Sequence, residues 1–257
     1  MDPTLVFAGF AVGGVIGLCG VGGGALMTPF LIHYGISPAI AIGTDLVYAL
    51  FSKSIGAWLH HIKGTVNWGI VGRLALGSIP ASLACMVMLK SLDEHNIDYQ
   101  WLIRDIVGVM LVLTASAMLL SLRKNNKKRK KKYPLDNTRH TGYLTILMGA
   151  LLGFLVTLSS IGSGAVGAAV LILLYPLLPA ISVVGTDLMH AVPLVGVAAL
   201  GHWQLGNVDF PLLGSLVLGA APGVWLGAKL GTRLPEQYVR RVLAVALLLI
   251  GMQMVIY

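Results

Sequence analysis

Two aspartates in apolar surroundings are the first residues here with chemistry to offer. Asp45 lies in Gly43-Thr44-Asp45-Leu46 and Asp187 in Gly185-Thr186-Asp187-Leu188. A carboxylate among apolar residues is costly to keep, so by default it marks function. A carboxyl withdrawn from water holds its proton more readily, which makes both aspartates candidates for proton coupling. The bland alternative is that Thr or Asp caps a helix break. Lys53 follows Asp45 by eight residues, about two helical turns along roughly the same face. A lysine there needs a partner, a wet cavity or an anion, unless it snorkels to the interface.

Two glycine clusters complete the candidate chemistry. Cys19-Gly20-Val21-Gly22-Gly23-Gly24-Ala25 and Ser159-Ser160-Ile161-Gly162-Ser163-Gly164-Ala165 both interrupt apolar stretches. Non-helical backbone at membrane depth survives only where protein buries it or a wet cavity satisfies it. A helix restarting after such a break points free N–H groups and a positive dipole end into that space. Two such ends facing one another suit a small anion near the bilayer midplane. Backbone N–H groups at Gly22, Gly23, Gly24, Gly162 and Gly164 would line the seat. Ser159, Ser160, Ser163, Thr44 and Thr186 would add hydroxyls, Lys53 charge, and His190 a polar group that titrates near neutrality. Close helix packing through small residues is the competing reading. His60 and His202 fall near span ends and read as interfacial.

No nucleotide-binding loop, His-Glu zinc motif or nucleophile elbow is present, so no cofactor, metal or catalytic residue is expected. Cys19 and Cys85 form neither a disulfide framework nor a zinc pattern. The rival chemistry is an intramembrane aspartyl protease with Asp45 and Asp187 as a proton-sharing dyad. Both aspartates, however, lie in Gly-Thr-Asp rather than the Gly-x-Gly-Asp of such enzymes. Protease chemistry also leaves the paired glycine clusters unexplained.

The elements that must position these residues are membrane helices. Of the 257 residues, 56% are hydrophobic and only 11% charged, against about 25% charged in a soluble domain. Too few charges remain to cover a water-facing surface. About 20 apolar residues cross the hydrocarbon core, and the candidate full spans are 39–62, 66–89, 101–122, 182–202, 210–229 and 238–257. The stretches 4–34 and 143–178, which hold the glycine clusters, each read as two short helices with a break, either spanning or re-entrant. The N-terminus lacks the basic segment of a secretory signal and is expected to stay in the mature chain.

An internal repeat organises these segments. The Gly-Thr-Asp-Leu motif recurs after 142 residues, and at that offset His60, Gly64, Val66, Gly77 and Pro80 match His202, Gly206, Val208, Gly219 and Pro222. Asn67 matches Asp209. At an offset of 140, Gly9, Gly13, Gly22 and Gly24 match Gly149, Gly153, Gly162 and Gly164. Two positions break the symmetry: Lys53 corresponds to Val195, and Tyr48 to His190. The organisation is therefore a first transmembrane repeat at 1–122, a basic linker at 123–141 and a second repeat at 142–257.

Orientation follows from Lys and Arg. The formal net charge is +8, and the run from Arg123 to Lys132 alone supplies eight basic residues. The basic character is thus local. It reads as a cytoplasmic loop touching anionic lipid headgroups rather than as nucleic-acid binding. Residues 90–100 carry Asp93, Glu94 and Asp98 against Lys90. The equivalent turn in the second half carries Lys229, Arg233, Arg240 and Arg241 against Glu236. Equivalent loops thus fall on opposite faces, with Arg104 the one mild exception. The expected fold class is all-α: a polytopic bundle of two inverted repeats, each with a glycine-broken helix pair and three full spans. Assembly into a homo-oligomer is left open.

With these residues in hand, the sequence resembles the TauE/SafE family of sulfite exporters over nearly its whole length. The likeness rests on Gly20 to Gly24 followed by Pro29, on Gly43-Thr44-Asp45 after Ser37-Pro38, and on their second-half echoes. It departs from the pattern where Ser163 replaces the middle glycine and no proline matches Pro29. The resemblance implies a multi-pass protein of the bacterial inner (plasma) membrane. It further implies a secondary transporter, an exporter of sulfite, organosulfonates or another small sulfur-containing anion, working by alternating access.

The charge distribution makes a topological prediction. Single cysteines at 123–141 and 230–238, on a background without Cys19 and Cys85, should label from the cytoplasm, and those at 90–100 and Tyr257 from outside. Labelling of 90–100 and 230–238 from one face would rule out opposite insertion.

Overall fold

The computed structural model describes residues 3–19, 24–123, 139–231 and 236–256. All of the regular secondary structure among them is helical: α1 (Pro3–Cys19), α2 (Gly24–His33), α3 (Pro38–Ile62), α4 (Trp68–Glu94), α5 (Gln100–Arg123), α6 (Arg139–Ser159), α7 (Ala165–Leu174), α8 (Ala180–Gln204), α9 (Phe210–Gly231) and α10 (Glu236–Ile256). Helices close every backbone hydrogen bond within one segment, the requirement that lipid imposes. Six are long and apolar enough to cross a bilayer: Pro38–Ile62, Trp68–Glu94, Gln100–Leu120, His140–Ser159, Ala180–Gln204 and Phe210–Gly227.

Five of these coincide with spans expected from the sequence. The sixth is a difference. His140–Ser159 was expected to be the short first arm of a broken pair, yet the glycine cluster begins only where a full-length helix is complete. By contrast α2 and α7 have 10 residues each, about 15 Å of helix, or half of the ~30 Å hydrocarbon core. The pairs are therefore one long helix followed by one half-length helix. In α10 the apolar stretch is Arg241–Ile256.

The repeated glycines explain the packing. Gly9, Gly13 and Gly219 bring α1 and α9 into backbone contact at Leu216, Ala220 and Val6. Their equivalents Gly149, Gly153 and Gly77 do the same for α6 and α4 at Leu74, Ser78 and Ile146. Each contact has its counterpart with the halves exchanged. Within each pair the residue numbers rise together, so α1 runs parallel to α9 and α6 parallel to α4. Lipid tails are as apolar as leucine, so such helices associate mainly through close van der Waals packing, which glycine permits.

The central pair behaves differently. Gly43 faces His202, Leu50 faces Gly196, Gly56 faces Leu188 and His60 faces Gly185, so α3 and α8 run antiparallel. Their ends are tied by two matching hydrogen bonds. The backbone N–H of Asp209 donates to Thr44 Oγ1 at 3.1 Å, and that of Asn67 to Thr186 Oγ1 at 3.0 Å. Asn67 Oδ1 then caps α4 by accepting from the Ile70 N–H at 3.2 Å, and Asp209 Oδ1 accepts from the Leu212 N–H at 2.9 Å. Around this pair, α5 and α10 contribute Ile103, Val107, Met110, Leu243 and Leu247 to one apolar core.

A side chain at Gly77 would run into the backbone of Ile146, whereas the same change at Gly72 of α4 meets open space. Gly77→Leu should therefore destabilise the protein by about 1–3 kcal/mol, read as a lower midpoint of thermal unfolding in detergent, while Gly72→Leu should leave it unchanged.

Candidate functional site

The register of α3 against α8 sets the levels of the charged residues. Extending the observed facings places Asp187 level with Trp58, thirteen residues beyond Asp45 on α3. That is about 20 Å along the pair at ~1.5 Å per residue. Lys53 lies between these levels and closer to that of Asp187. The same register sets Phe51 and Ser52 opposite Pro193 and Leu194, their own equivalents in the repeat, as happens where a two-fold axis crosses a pair of helices. Lys53 is thus next to the level where equivalent residues of α3 and α8 face one another.

Lys53 is buried, and so are Asp45 and Asp187. Its ammonium feels both carboxylates. It reaches across to the non-helical link between α6 and α7, where it donates to the Ser163 carbonyl at 3.2 Å and to the Ser163 hydroxyl. That link needs special backbone: φ is 58° at Ser160, 131° at Gly162 and 138° at Gly164, and the two wider values suit only glycine at little cost. Asp187 lies against the start of α7. The Gly164 N–H lies against its carboxylate, and any side chain at Gly167 would strike Oδ1. The free N–H end of α7 thus already faces one carboxylate of the protein itself.

Asp45 is held differently. Thr28 of α2 donates to its Oδ2 at 2.6 Å. Its Oδ1 has no hydrogen-bond partner, nor has the hydroxyl of Ser160 that lies beside this carboxyl. His190 also faces Lys53. Its Nε2 is 2.8 Å from Ser78 Oγ and its Nδ1 is unpartnered. Buried polar atoms without partners are uncommon and call for a reason. Asp45 and His190 both face Lys53, and Ser160 lies beside Asp45.

Of the residues expected from sequence, Asp45, Lys53, Ser160, Ser163, Gly164, Asp187 and His190 come together in this way. Gly162 shapes the link, and its carbonyl accepts from the Gly167 N–H at 2.8 Å. Ser159 has a local role: its hydroxyl donates to Leu155 O and accepts from the Ile161 N–H, closing the end of α6. Thr44 and Thr186 lie outside the cluster, as the ties between halves described above. Gly24 opens α2, while Gly22 and Gly23 lie outside the described residues, as does most of the basic linker. His202 is not interfacial but buried, 3.0 Å from the Thr157 carbonyl, because the end of α8 packs on α6. Among the described residues no group of three His, Cys, Asp or Glu side chains could hold a metal.

Sequence reasoning missed Thr28 and Ser78. Their equivalents are Ala168 and Ala220, so the repeat gave no signal for them. It did flag Lys53 for breaking the symmetry and Ser163 for replacing a glycine, and these two exceptions bond to each other. The separation of Asp45 from Asp187 corrects the protease alternative. Two carboxyls that share a proton sit about 3 Å apart, far less than the stagger seen here.

Comparison with known proteins gives a consistent picture. The family model described as "Sulfite exporter TauE/SafE" matches residues 5–254. The probable membrane transporter protein YjnA of Bacillus subtilis (strain 168) is 37% identical over 99% of this chain and 100% of its own length. The probable membrane transporter protein MJ0441 of Methanocaldococcus jannaschii is 26% identical over 99% and 95%. "Sulfite exporter TauE/SafE family protein 1" of Arabidopsis thaliana is 34% identical over 35% of this chain and 19% of that protein. No solved structure matches the chain.

If Lys53 and Asp187 compensate one another, removing either leaves a buried charge worse off than removing both. Lys53→Met and Asp187→Asn should each lower the thermal midpoint in detergent. The double variant should recover part of the loss, with a coupling of about 1–3 kcal/mol. Strict additivity would show that the two charges are independent.

Proposed function

This chain belongs to the sulfite exporter TauE/SafE family of multi-pass membrane transporters, and from that premise we propose that it is a secondary carrier exporting a small sulfur-containing anion such as sulfite or an organosulfonate. The observation that carries the proposal is the surroundings of Lys53: a buried cation where equivalent residues of α3 and α8 meet, faced by Asp45 and His190, each with one buried polar atom that lacks a partner. An oxyanion leaving water must have its hydration replaced by donors. Lys53 supplies charge, and Ser160 Oγ and His190 Nδ1 supply unused hydrogen-bonding capacity. Backbone N–H groups where α7 starts, and by the repeat where α2 starts, add the rest. In a dry setting one charge acts more strongly on an anion than it would in water.

The two halves sit in opposite orientations in this reading. Its support is the antiparallel run of α3 and α8 together with the reversed charge of equivalent loops. With opposite insertion the two-fold axis lies in the membrane plane, which sets Lys53 near mid-depth, where carriers of repeated build hold their substrate. Rocking of the halves about that point gives alternating access, and Asp45 and Asp187 couple the movement to protons.

The test is uptake of labelled sulfite and a panel of organosulfonates into proteoliposomes, with and without a pH gradient. Flux should saturate and show counterflow. Lys53→Ala should still purify as a single folded species by size exclusion and should bind the anion at least tenfold more weakly by calorimetry. Asp45→Asn and Asp187→Asn should weaken proton-dependent flux more than binding. Flux that neither saturates nor shows counterflow, or full affinity in folded Lys53→Ala, would defeat the proposal.

A further inference from the structure

We infer that Ser78 is a positioning residue for the anion seat: it holds the His190 ring at Nε2 and so sets the edge on which Nδ1 is offered to the anion. The inference rests on the transport reading above and adds to it a residue that itself touches no substrate. Ser78 lies on α4 and His190 on α8, and both are buried. Ser78 Oγ and His190 Nε2 are 2.8 Å apart, a bond that holds the ring whichever atom donates. Nδ1 has no partner, so among the described residues this is the ring's one hydrogen bond. A histidine ring turns about its Cβ–Cγ bond with a broad, roughly two-fold preference. A half-turn exchanges each ring nitrogen with a carbon. Only one of the two settings puts a nitrogen against Ser78 Oγ, and that setting also decides on which edge Nδ1 lies.

The second ground is the rigidity of the anchor. Ser78 lies in the seam of α4 with α6, where a side chain at Gly153 would strike the Ser78 backbone and one at Gly77 the Ile146 backbone. Backbone set against backbone leaves little room to shift. One turn further on, Thr157 Oγ1 donates to Ser82 Oγ at 2.7 Å and ties the same two helices. A hydroxyl fixed in this seam thus holds a ring that faces Lys53. The third ground is the repeat. The equivalents of Ser78 and His190 are Ala220 and Tyr48, which pack together in one apolar cluster. Both positions depart from the repeat together, and the two departures are bonded to each other. Lys53 and Ser163 behave in the same way, with Val195 and Gly23 as their equivalents.

The test is a double-mutant cycle on anion affinity. Ser78→Ala suits the seam, since the equivalent place on α9 already holds Ala220. By calorimetry with sulfite and each sulfonate of the panel, Ser78→Ala should weaken binding roughly 3- to 10-fold, the worth of one hydrogen bond. In a His190→Phe background, Ser78→Ala should cause no further loss, because the residue acts only through the ring. All three variants are checked by size exclusion. A second measurement needs no anion. In nitrogen spectra of the histidine-labelled protein in lipid, the ring signals that disappear in His190→Phe belong to His190, and Ser78→Ala should move them. Unchanged affinity in folded Ser78→Ala, an equal loss with and without His190, or unmoved ring signals would overturn the inference. Failure of the unmodified protein to bind any anion of the panel, with ring signals that Ser78→Ala still moves, would instead count against the transport reading alone.

Discussion

Everything in this fold depends on how closely two helices can approach when water does not push them together. In lipid the solvent is as apolar as the side chains, so association must come from contact itself. The seams of α1 with α9 and of α6 with α4 meet this demand with glycine set against backbone. Because each seam joins one half of the chain to the other, the two halves are stitched twice, by the same contacts with partners exchanged. This leaves α3 and α8 as the central pair, antiparallel and in register about their own midpoints.

That central position determines what a charge there experiences. Lys53 projects from the middle of α3 into a region whose second-half equivalent is Val195, so a symmetric scaffold carries an asymmetric cation. A buried ammonium requires either a compensating anion or donors and acceptors around it. Here it has the Ser163 carbonyl and hydroxyl at close range and two carboxylates further off.

The link between α6 and α7 makes this possible through backbone geometry. Its wide positive φ values at Gly162 and Gly164 turn the chain so that α7 restarts with its N–H groups facing α8. Where the first half has an unbroken run of glycines, the second has Ser163, which supplies the oxygen atoms that hold Lys53. The departure from the glycine pattern is thus explained by a contact rather than by tolerance of a larger residue. Asp187, set against the same helix end, occupies a place that suits an anion of any origin.

The sequence by itself was enough to establish an all-helical membrane protein, to place five of its long spans, and to show motifs recurring at a constant offset. These are local or periodic properties: hydrocarbon thickness sets the length of an apolar run, and duplication leaves motifs at a constant offset. It also marked Asp45, Lys53, Ser163, Asp187 and His190, since polar groups in apolar segments are conspicuous. It could not reveal that α6 is full length, that Thr44 and Thr186 tie the halves together, that His202 is buried, or that Thr28 and Ser78 belong with the cluster. Nor could it tell that the two aspartates are staggered along an antiparallel pair. Those outcomes depend on which helices touch and in what register, and register is set by the sum of many weak contacts between segments far apart in the chain. A threonine or serine in an apolar helix looks the same in sequence whether it binds its own backbone, a neighbouring loop or a buried carboxyl; only the packed structure assigns its partner.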